Sequence, residues 1–307
     1  MLTEEGITAV LSISEQVDLP RHQLGGFDHA DVHLESGRVY VAHTALGTVE
    51  IIDGERAKHL ATLTGCLDAS GVLCAQKENL LFAASRGTGK ILVVDALTNR
   101  VLREAQAGSA PNGLAWDSNH RQLLVGDVQD NKAILVDPYS GELISSLQLA
   151  GRPRWCAYSA TRDQFLVNIR EPSGVAILAP ENLSQKAFLP VSVAGPHGID
   201  IDDKSSLAYV ACDAMAVVIL DISTGHEKAV VPIGGAPDVA WLNAGRHRLY
   251  CAIGNPGIIE VINIHELVVD EKVKTEEGAH TFTFDKKRQR LYTFLPKSCR
   301  MTIYTEA

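Results

Sequence analysis

Residues 194–225 read AGPHGIDIDDKSSLAYVACDAMAVVILDISTG. The segment has a turn built on Gly195 and Pro196, a short apolar run, a polar turn, and two further apolar runs, the last of which ends at Asp221. Runs of β-branched and aromatic residues bounded by Gly, Pro, Asp and Ser are typical of short strands and not of a helix. The segment therefore predicts three successive strands that follow a tight turn.

The same turn recurs along the chain at a nearly constant spacing. The residue that follows its proline position is, in chain order, His29, Ser70, Asn112, Arg154, His197, Asp238 and His280. Subtracting successive numbers gives spacings of 41, 42, 42, 43, 41 and 42 residues. Seven units of that length indicate a β-propeller with four strands in each blade. The sequence therefore predicts an all-β fold, a seven-bladed β-propeller with four-stranded antiparallel blades that start near residues 25, 66, 108, 150, 193, 234 and 276.

The two ends of the chain complement each other in this repeat. The last copy stops after its third strand, at Thr302-Ile303-Tyr304, and the run from Ile7 to Ile13 before the first copy reads as a lone strand. We expect residues 7–18 to complete blade seven, which closes the ring and covers two sheet edges. Because no linker or low-complexity segment interrupts the repeat, we expect one propeller domain over residues 1–307.

Composition narrows the classes of function. The net charge of −9 argues against nucleic acid as a partner, because phosphate binding needs clustered Lys and Arg. The chain has no run of about 18 apolar residues and no basic-then-apolar leader, so we expect no membrane span and a cytoplasmic protein. The six cysteines lack a closely spaced pair, and we expect them to be buried, reduced thiols.

The repeat resembles that of the YVTN-repeat propellers. The resemblance rests on the Gly-x-Pro turn, the Leu-Tyr-Val-Ala strand and an apolar strand that ends in Asp before Thr-Gly or Thr-Asn, as in residues 92–99 and 219–225. It covers nearly the whole chain and implies the propeller fold, while it says almost nothing about function.

The repeated position also predicts a site. In a propeller the first strand of each blade lines the central channel, so the residues that follow the turns form a ring at one channel mouth. Because blade seven abuts blade one, His197, Asp238, His280 and His29 are contiguous in this ring. Imidazole nitrogens and carboxylate oxygens are the ligands of Zn, Fe, Mn, Ni or Cu, so we expect a divalent transition metal there. A polar mouth without metal remains the alternative, and Asp31 or His33 could replace His29.

The other side of the ring predicts a substrate site. Ser70, Asn112 and Arg154 lie there, and the guanidinium of Arg154 suits a carboxylate or phosphate, unless it only pairs with a neighbouring acid. The second strand of each blade runs back to the same mouth and ends near His43, Arg86 and Asp127. We expect Arg86 and Asp127 to join the substrate site. His43 is either a fourth imidazole on the metal-bearing side, a general base that acts with Arg154 in catalysis, or a rim residue.

Two functions of different class follow. The first is a metal-dependent enzyme acting on a small anionic or carbonyl-containing molecule, because the overall plan is similar to gluconolactonase-type lactonases and to virginiamycin B lyase. Those propellers imply lyase or hydrolase chemistry at a bound divalent cation. The lactonases bind their cation through carboxylate and amide ligands, whereas the candidate ligands of this chain are mostly imidazoles. Imidazole ligands favour a transition metal over Ca or Mg. The second is a non-catalytic propeller that binds a ligand or a protein, and a tetrapyrrole with histidine axial ligands is a further alternative.

Overall fold

The computed structural model describes residues 9–306 and contains seven four-stranded antiparallel sheets arranged as blades. The predicted seven-bladed β-propeller is therefore confirmed. Blades one to three consist of β2–β5 (Ala30–His33, Arg38–His43, Thr48–Asp53, Lys58–Leu63), β6–β9 (Ala69–Ala75, Leu80–Ser85, Lys90–Asp95, Val101–Gln106) and β10–β13 (Pro111–Asp117, Gln122–Asp127, Lys132–Val136, Leu143–Gln148). Blades four to six consist of β14–β17 (Pro153–Ser159, Gln164–Ile169, Gly174–Leu178, Gln185–Pro190), β18–β21 (Pro196–Asp202, Leu207–Cys212, Ala216–Asp221, Glu227–Pro232) and β22–β25 (Pro237–Asn243, Arg248–Ile253, Ile258–Asn263, Val268–Lys274).

Blade seven is closed by the beginning of the chain. It combines β26–β28 (Thr281–Asp285, Arg290–Leu295, Arg300–Glu306) with β1 (Leu11–Asp18), which pairs antiparallel with β28 from Leu11 opposite Glu306 to Asp18 opposite Arg300. The predicted closing segment of residues 7–18 is thus observed as a strand over Leu11–Asp18, and residues 7 and 8 lie outside the described part of the chain. Two short 3-10 helices, Thr44–Leu46 and Ala244–Arg246, lie in loops.

The core lies between neighbouring blades. The two middle strands of a blade are almost wholly buried, as in β7 and β8, whereas the outer strand alternates exposed and half-buried residues, as in β5 and β25. This matches the long apolar runs of the middle strands and the mixed outer strands. All six cysteines are free and buried within these layers. No helix in residues 9–306 is long and apolar enough to cross a membrane.

Two glycines let the first strands approach closely enough to form the ring. A Cβ atom on Gly71 would lie 2.0 Å from the carbonyl oxygen of Asn112, and one on Gly113 would lie 2.1 Å from that of Arg154. Any larger residue would push these strands apart. Each glycine follows a ring residue, so this packing brings Ser70, Asn112 and Arg154 from neighbouring blades side by side.

Candidate functional site

The ring residues meet at an open cavity of about 550 Å³ at one end of the channel, which we call the mouth. Six of the seven predicted ring positions line it, and Ser70 does not. Its lining residues are Gly25, Gly26, Phe27, Asp28, His29, Thr44, Arg86, Asn112, Arg152, Arg154, His197, Asp238, Gly278, His280 and Pro296. The variable polar residues of the repeat therefore meet in one cavity. One side of it, the histidine arc, consists of His29, His197, Asp238 and His280, and the other, the arginine arc, consists of Arg86, Arg152 and Arg154.

His197 lies between two carboxylates. Its Nδ1 is 2.8 Å from Oδ1 of Asp213, and its Nε2 is 2.5 Å from Oδ1 of Asp238. Burial alone would lower the pKa of His197, but Asp238 and Asp213 outweigh it and raise that pKa above the ordinary 6.5. Burial would likewise raise the pKa of Asp238, yet His197, His280 and His29 hold it far below its usual range. The two groups form a partly buried ion pair.

The other two histidines approach the same carboxylate less closely. Nε2 of His280 lies 3.6 Å from Oδ2 of Asp238, and its Nδ1 is 2.8 Å from the carbonyl oxygen of Gly278. His29 is buried and stacks on Trp155 with ring centroids 4.0 Å apart, and its Nε2 is 3.4 Å from Oδ1 of Asp28. Burial lowers the pKa of His29, so its imidazole stays neutral and can act as a ligand.

The arginine arc faces this group. Nη2 of Arg154 contacts Nε2 of His197, and Arg152 lines the mouth beside it. Neither guanidinium has a carboxylate oxygen within 4.0 Å among residues 9–306, although Asp28 and Asp238 line the same cavity. Arg86, in contrast, is paired with Asp28 at 2.7 Å. The mouth therefore offers two guanidinium groups without a carboxylate partner.

Three predicted site residues lie outside the lining of the mouth. The hydroxyl of Ser70 is buried and donates to the carbonyl oxygen of Pro111 at 2.8 Å. Asp127 accepts hydrogen bonds from the backbone N–H groups of Ser109 and Ala110 and so holds the turn that precedes the ring residue of blade three. His43 is fully buried behind Phe27, with ring centroids 4.4 Å apart. Their predicted roles in binding or catalysis are not supported by direct contact with the cavity.

The mouth does not present a closed set of metal ligands. Within residues 9–306, one group of three or more His, Cys, Asp or Glu side chains has ligand atoms that all lie within 4.8 Å of one another, namely Asp117, His120 and Asp163. This group could hold a metal, but hydrogen bonds already account for it, since His120 donates to Asp117 at 2.8 Å and Tyr158 to Asp163 at 2.5 Å. Metal binding at the mouth would require His280 and His197 to turn toward a common point.

Asp213 and Arg152 are important to the site and are not among the predicted site residues. Asp213 begins the turn after β19 and also pairs with Nε of Arg170 at 2.8 Å. Arg152 precedes the ring position of blade four by two residues. The sequence signal for Asp213 is its place at the end of a second strand, which the topology brings to the mouth, and no comparable signal identifies Arg152.

Comparison with known proteins supports the architecture. No family model matches this chain, and no curated protein matches it. One solved structure similar to it is hydrazine synthase of Kuenenia stuttgartiensis, with a TM-score of 0.84 and 13% sequence identity, over 94% of this chain and 97% of that chain. The likeness is one of fold. Nothing about the mouth follows from a relation at this level of identity.

The position of His197 between two carboxylates leads to a pH prediction. In the metal-free protein we expect its imidazole to titrate above pH 6.5 in nuclear magnetic resonance spectra, because both ring nitrogens face carboxylates. Since the folded pKa exceeds the unfolded one, the contribution to stability is fully present below about pH 6.5 and is lost as the pH rises through the folded value. Asp213→Asn should lower this pKa, and Asp202→Asn, which removes a turn carboxylate of the same blade, should leave it unchanged. Equal titration in both variants would contradict the assignment.

Proposed function

We propose that this propeller binds a small anionic molecule in the mouth and acts on it as a metal-dependent enzyme of the lyase or lactonase (hydrolase) type. The observation that carries the binding proposal is the pair of arginines, Arg152 and Arg154, which lack a carboxylate partner in a cavity that also contains acids. A guanidinium presents donors in a fork that matches carboxylate or phosphate. Asn112, which lies between Ser70 and Arg154 in the ring, adds an amide for polar groups of the same ligand.

The orientation of the histidines supports the metal. Nδ1 of His197 and Nδ1 of His280 each face an acceptor, a carboxylate and a carbonyl respectively, so both carry hydrogen there. In the neutral rings the Nε2 lone pairs then face Asp238, and this repulsion is relieved by a proton or by a cation. Histidine ligands of metals are held through the other ring nitrogen in this way. We therefore propose His197, Asp238 and His280 as ligands of Zn, Fe, Mn, Ni or Cu, with His29 as a fourth.

Within this proposal the residues of the mouth have different roles. A metal ion at these ligands would supply Lewis-acid polarisation of a carbonyl or carboxylate oxygen. Arg154 and Arg152 would hold the anionic end of the molecule, while Asp213 fixes the ring of His197 through its Nδ1–H. Arg86 would add positive charge at the edge, although Asp28 offsets part of it.

The repeat also leads us to infer kinship with the YVTN-repeat propellers, which leaves a non-catalytic binding module as the second function. The same two arginines favour it, because they explain ligand binding without any metal. The two functions differ in one respect: only the enzyme should turn over a lactone or a small carboxylic acid, and only it should lose turnover without loss of folding when His197 is replaced.

Elemental analysis of the untagged protein tests the metal proposal. We expect a transition metal in the wild-type protein and the loss of one equivalent in His197→Ala. The matched control is His120→Ala, which disrupts the Asp117–His120–Asp163 group and should keep that equivalent. Loss of metal in His120→Ala instead would place the ion at that group. If His197→Ala retains all its metal after supply of Zn, Mn, Fe, Ni and Cu, the mouth is a binding site without metal.

A further inference from the structure

A second group of potential ligands lies behind the wall of the mouth, where the ring closes. His22 lies on the connection between β1 and β2, His43 ends β3 of blade one, and Cys299 lies in the loop between β27 and β28 of blade seven. Phe27 separates them from the mouth: it lines the cavity and packs on both His22 and His43. Three chain segments that are distant in sequence thus bring two imidazoles and a thiol together.

The three ligand atoms lie near one another, but only the His22–Cys299 distance matches that between zinc ligands; the two imidazole nitrogens are at hydrogen-bond distance and would have to separate. Nδ1 of His22 is 2.6 Å from Nε2 of His43 and 3.7 Å from Sγ of Cys299. A tetrahedral zinc ion holds an imidazole nitrogen and a thiolate sulfur about 3.6 Å apart, and two imidazole nitrogens about 3.4 Å apart. The three atoms do not all lie within 4.8 Å of one another, so the thiol of Cys299 must move toward His43 to complete the set.

The surroundings hold His43 in the form that a metal requires. Its Nδ1 is 3.0 Å from Oε1 of Glu50, which is fully buried and also accepts hydrogen bonds from Thr48 and Thr62. A carboxylate on Nδ1 directs the lone pair to Nε2, the atom that faces His22.

His22 also has a ring nitrogen directed at the group: its Nδ1 is at hydrogen-bond distance from Nε2 of His43. Its Nε2 is buried and has no hydrogen-bond partner within the described chain. Among the described residues, the hydrogen-bond partners of the Cys299 sulfur are Nδ1 of His22 at 3.7 Å and the carbonyl oxygens of Pro296 at 3.8 Å and His22 at 3.9 Å, which are weak partners for a thiol.

We propose that His22, His43 and Cys299 form a zinc site that fastens the closing segment to blades one and seven. Two imidazoles and one thiolate are a borderline-to-soft donor set, which selects Zn²⁺ over Mg²⁺ or Ca²⁺. On binding, the thiol releases its proton to solvent and the sulfur–metal bond forms, so no oxidant or reductant is needed. The site is independent of the mouth, since it shares no ligand with it.

Titration with Co²⁺ as the spectroscopic substitute for zinc tests this proposal. We expect a sulfur-to-cobalt charge-transfer band in the near ultraviolet at one equivalent, together with a higher melting temperature when Zn²⁺ is added. Cys299→Ser and His22→Ala should each abolish the band. Cys66→Ser is the matched control, because that buried thiol contacts a backbone carbonyl and no histidine, and it should keep the band. The His197→Ala variant should keep it as well.

Two results would overturn the zinc site. One is the absence of a charge-transfer band in the wild-type protein at saturating Co²⁺, and the other is a band that survives in Cys299→Ser. His22→Ala removes a half-buried ring from a loop, so it serves if the Cys299 variant fails to fold. A band present in the wild type and in His197→Ala, with no metal lost on replacing His197, would support this site and contradict the metal at the mouth.

Discussion

Arg154→Gln is expected to lower the affinity of the mouth for small anions by about 10- to 100-fold. A hydrogen bond to a charged group contributes roughly 1.5–3 kcal/mol, and about 1.4 kcal/mol corresponds to a factor of ten in the dissociation constant. Arg154 has no carboxylate partner within 4.0 Å in the described chain, so a bound anion does not have to displace one. Isothermal titration with oxalate and with inorganic phosphate measures the effect.

The control for this variant is Arg121→Gln. Arg121 lies in the turn before β11 and contacts Tyr139. The Arg121→Gln substitution therefore removes the same charge from the protein without changing the mouth. Equal losses in the two variants would mean that the anion responds to overall charge and not to this residue. A loss confined to Arg154→Gln would identify the arginine arc as the part of the mouth that holds the anion.

Glu50→Ala is expected to lower the free energy of unfolding by roughly 3–5 kcal/mol, because two buried donors are left unpaired at about 1–3 kcal/mol each and a cavity is opened. The carboxylate of Glu50 is fully buried and accepts hydrogen bonds from four side chains, those of His43, Thr48, His59 and Thr62. Its removal leaves the buried donors of His43 and Thr48 unpaired and opens a cavity in blade one, while His59 and Thr62 are exposed enough to turn to water. Urea unfolding followed by circular dichroism measures the loss.

Glu260→Ala provides the comparison, because Glu260 occupies the corresponding strand of blade six and is also fully buried. Its partners are the ammonium of Lys272 at 2.9 Å and the backbone N–H of Gly234 at 3.0 Å. Lys272 is largely exposed and can return to solvent, so we expect less than half of the loss seen for Glu50. If Glu260→Ala lowers the free energy of unfolding as much as Glu50→Ala does, the hydrogen bonds from the histidines around Glu50 do not contribute to stability.

The repeat in the sequence was sufficient to predict the fold and the six ring residues that line the cavity. A column of residues spaced by about one blade had to become a ring, because only one position in each blade follows the turn into the channel. His197, Asp238 and Arg154 were therefore found without knowledge of any contact. The closing strand was predictable for the same reason, since the count of strands was one short at the end of the chain.

Positions away from that column were predicted less well, and the causes are local. His43 ends the strand as expected, but the bulk of Phe27 covers it, and its partner Glu50 lies seven residues later on the neighbouring strand. Ser70 is small enough to turn inward to a backbone carbonyl. Side-chain pairs such as His197 with Asp213 depend on rotamers and on the twist of each blade, neither of which a repeat specifies.

The way in which β1 and β28 meet also bears on the protein under mechanical load. The strands are antiparallel, and Leu11 at the start of one lies opposite Glu306 at the end of the other. Tension applied through the two ends of the chain therefore acts at one edge of the pair, so the cross-strand hydrogen bonds rupture one after another rather than together. Blade seven would peel open at a force well below that needed to shear a strand lengthwise, and the ring would unwind from there.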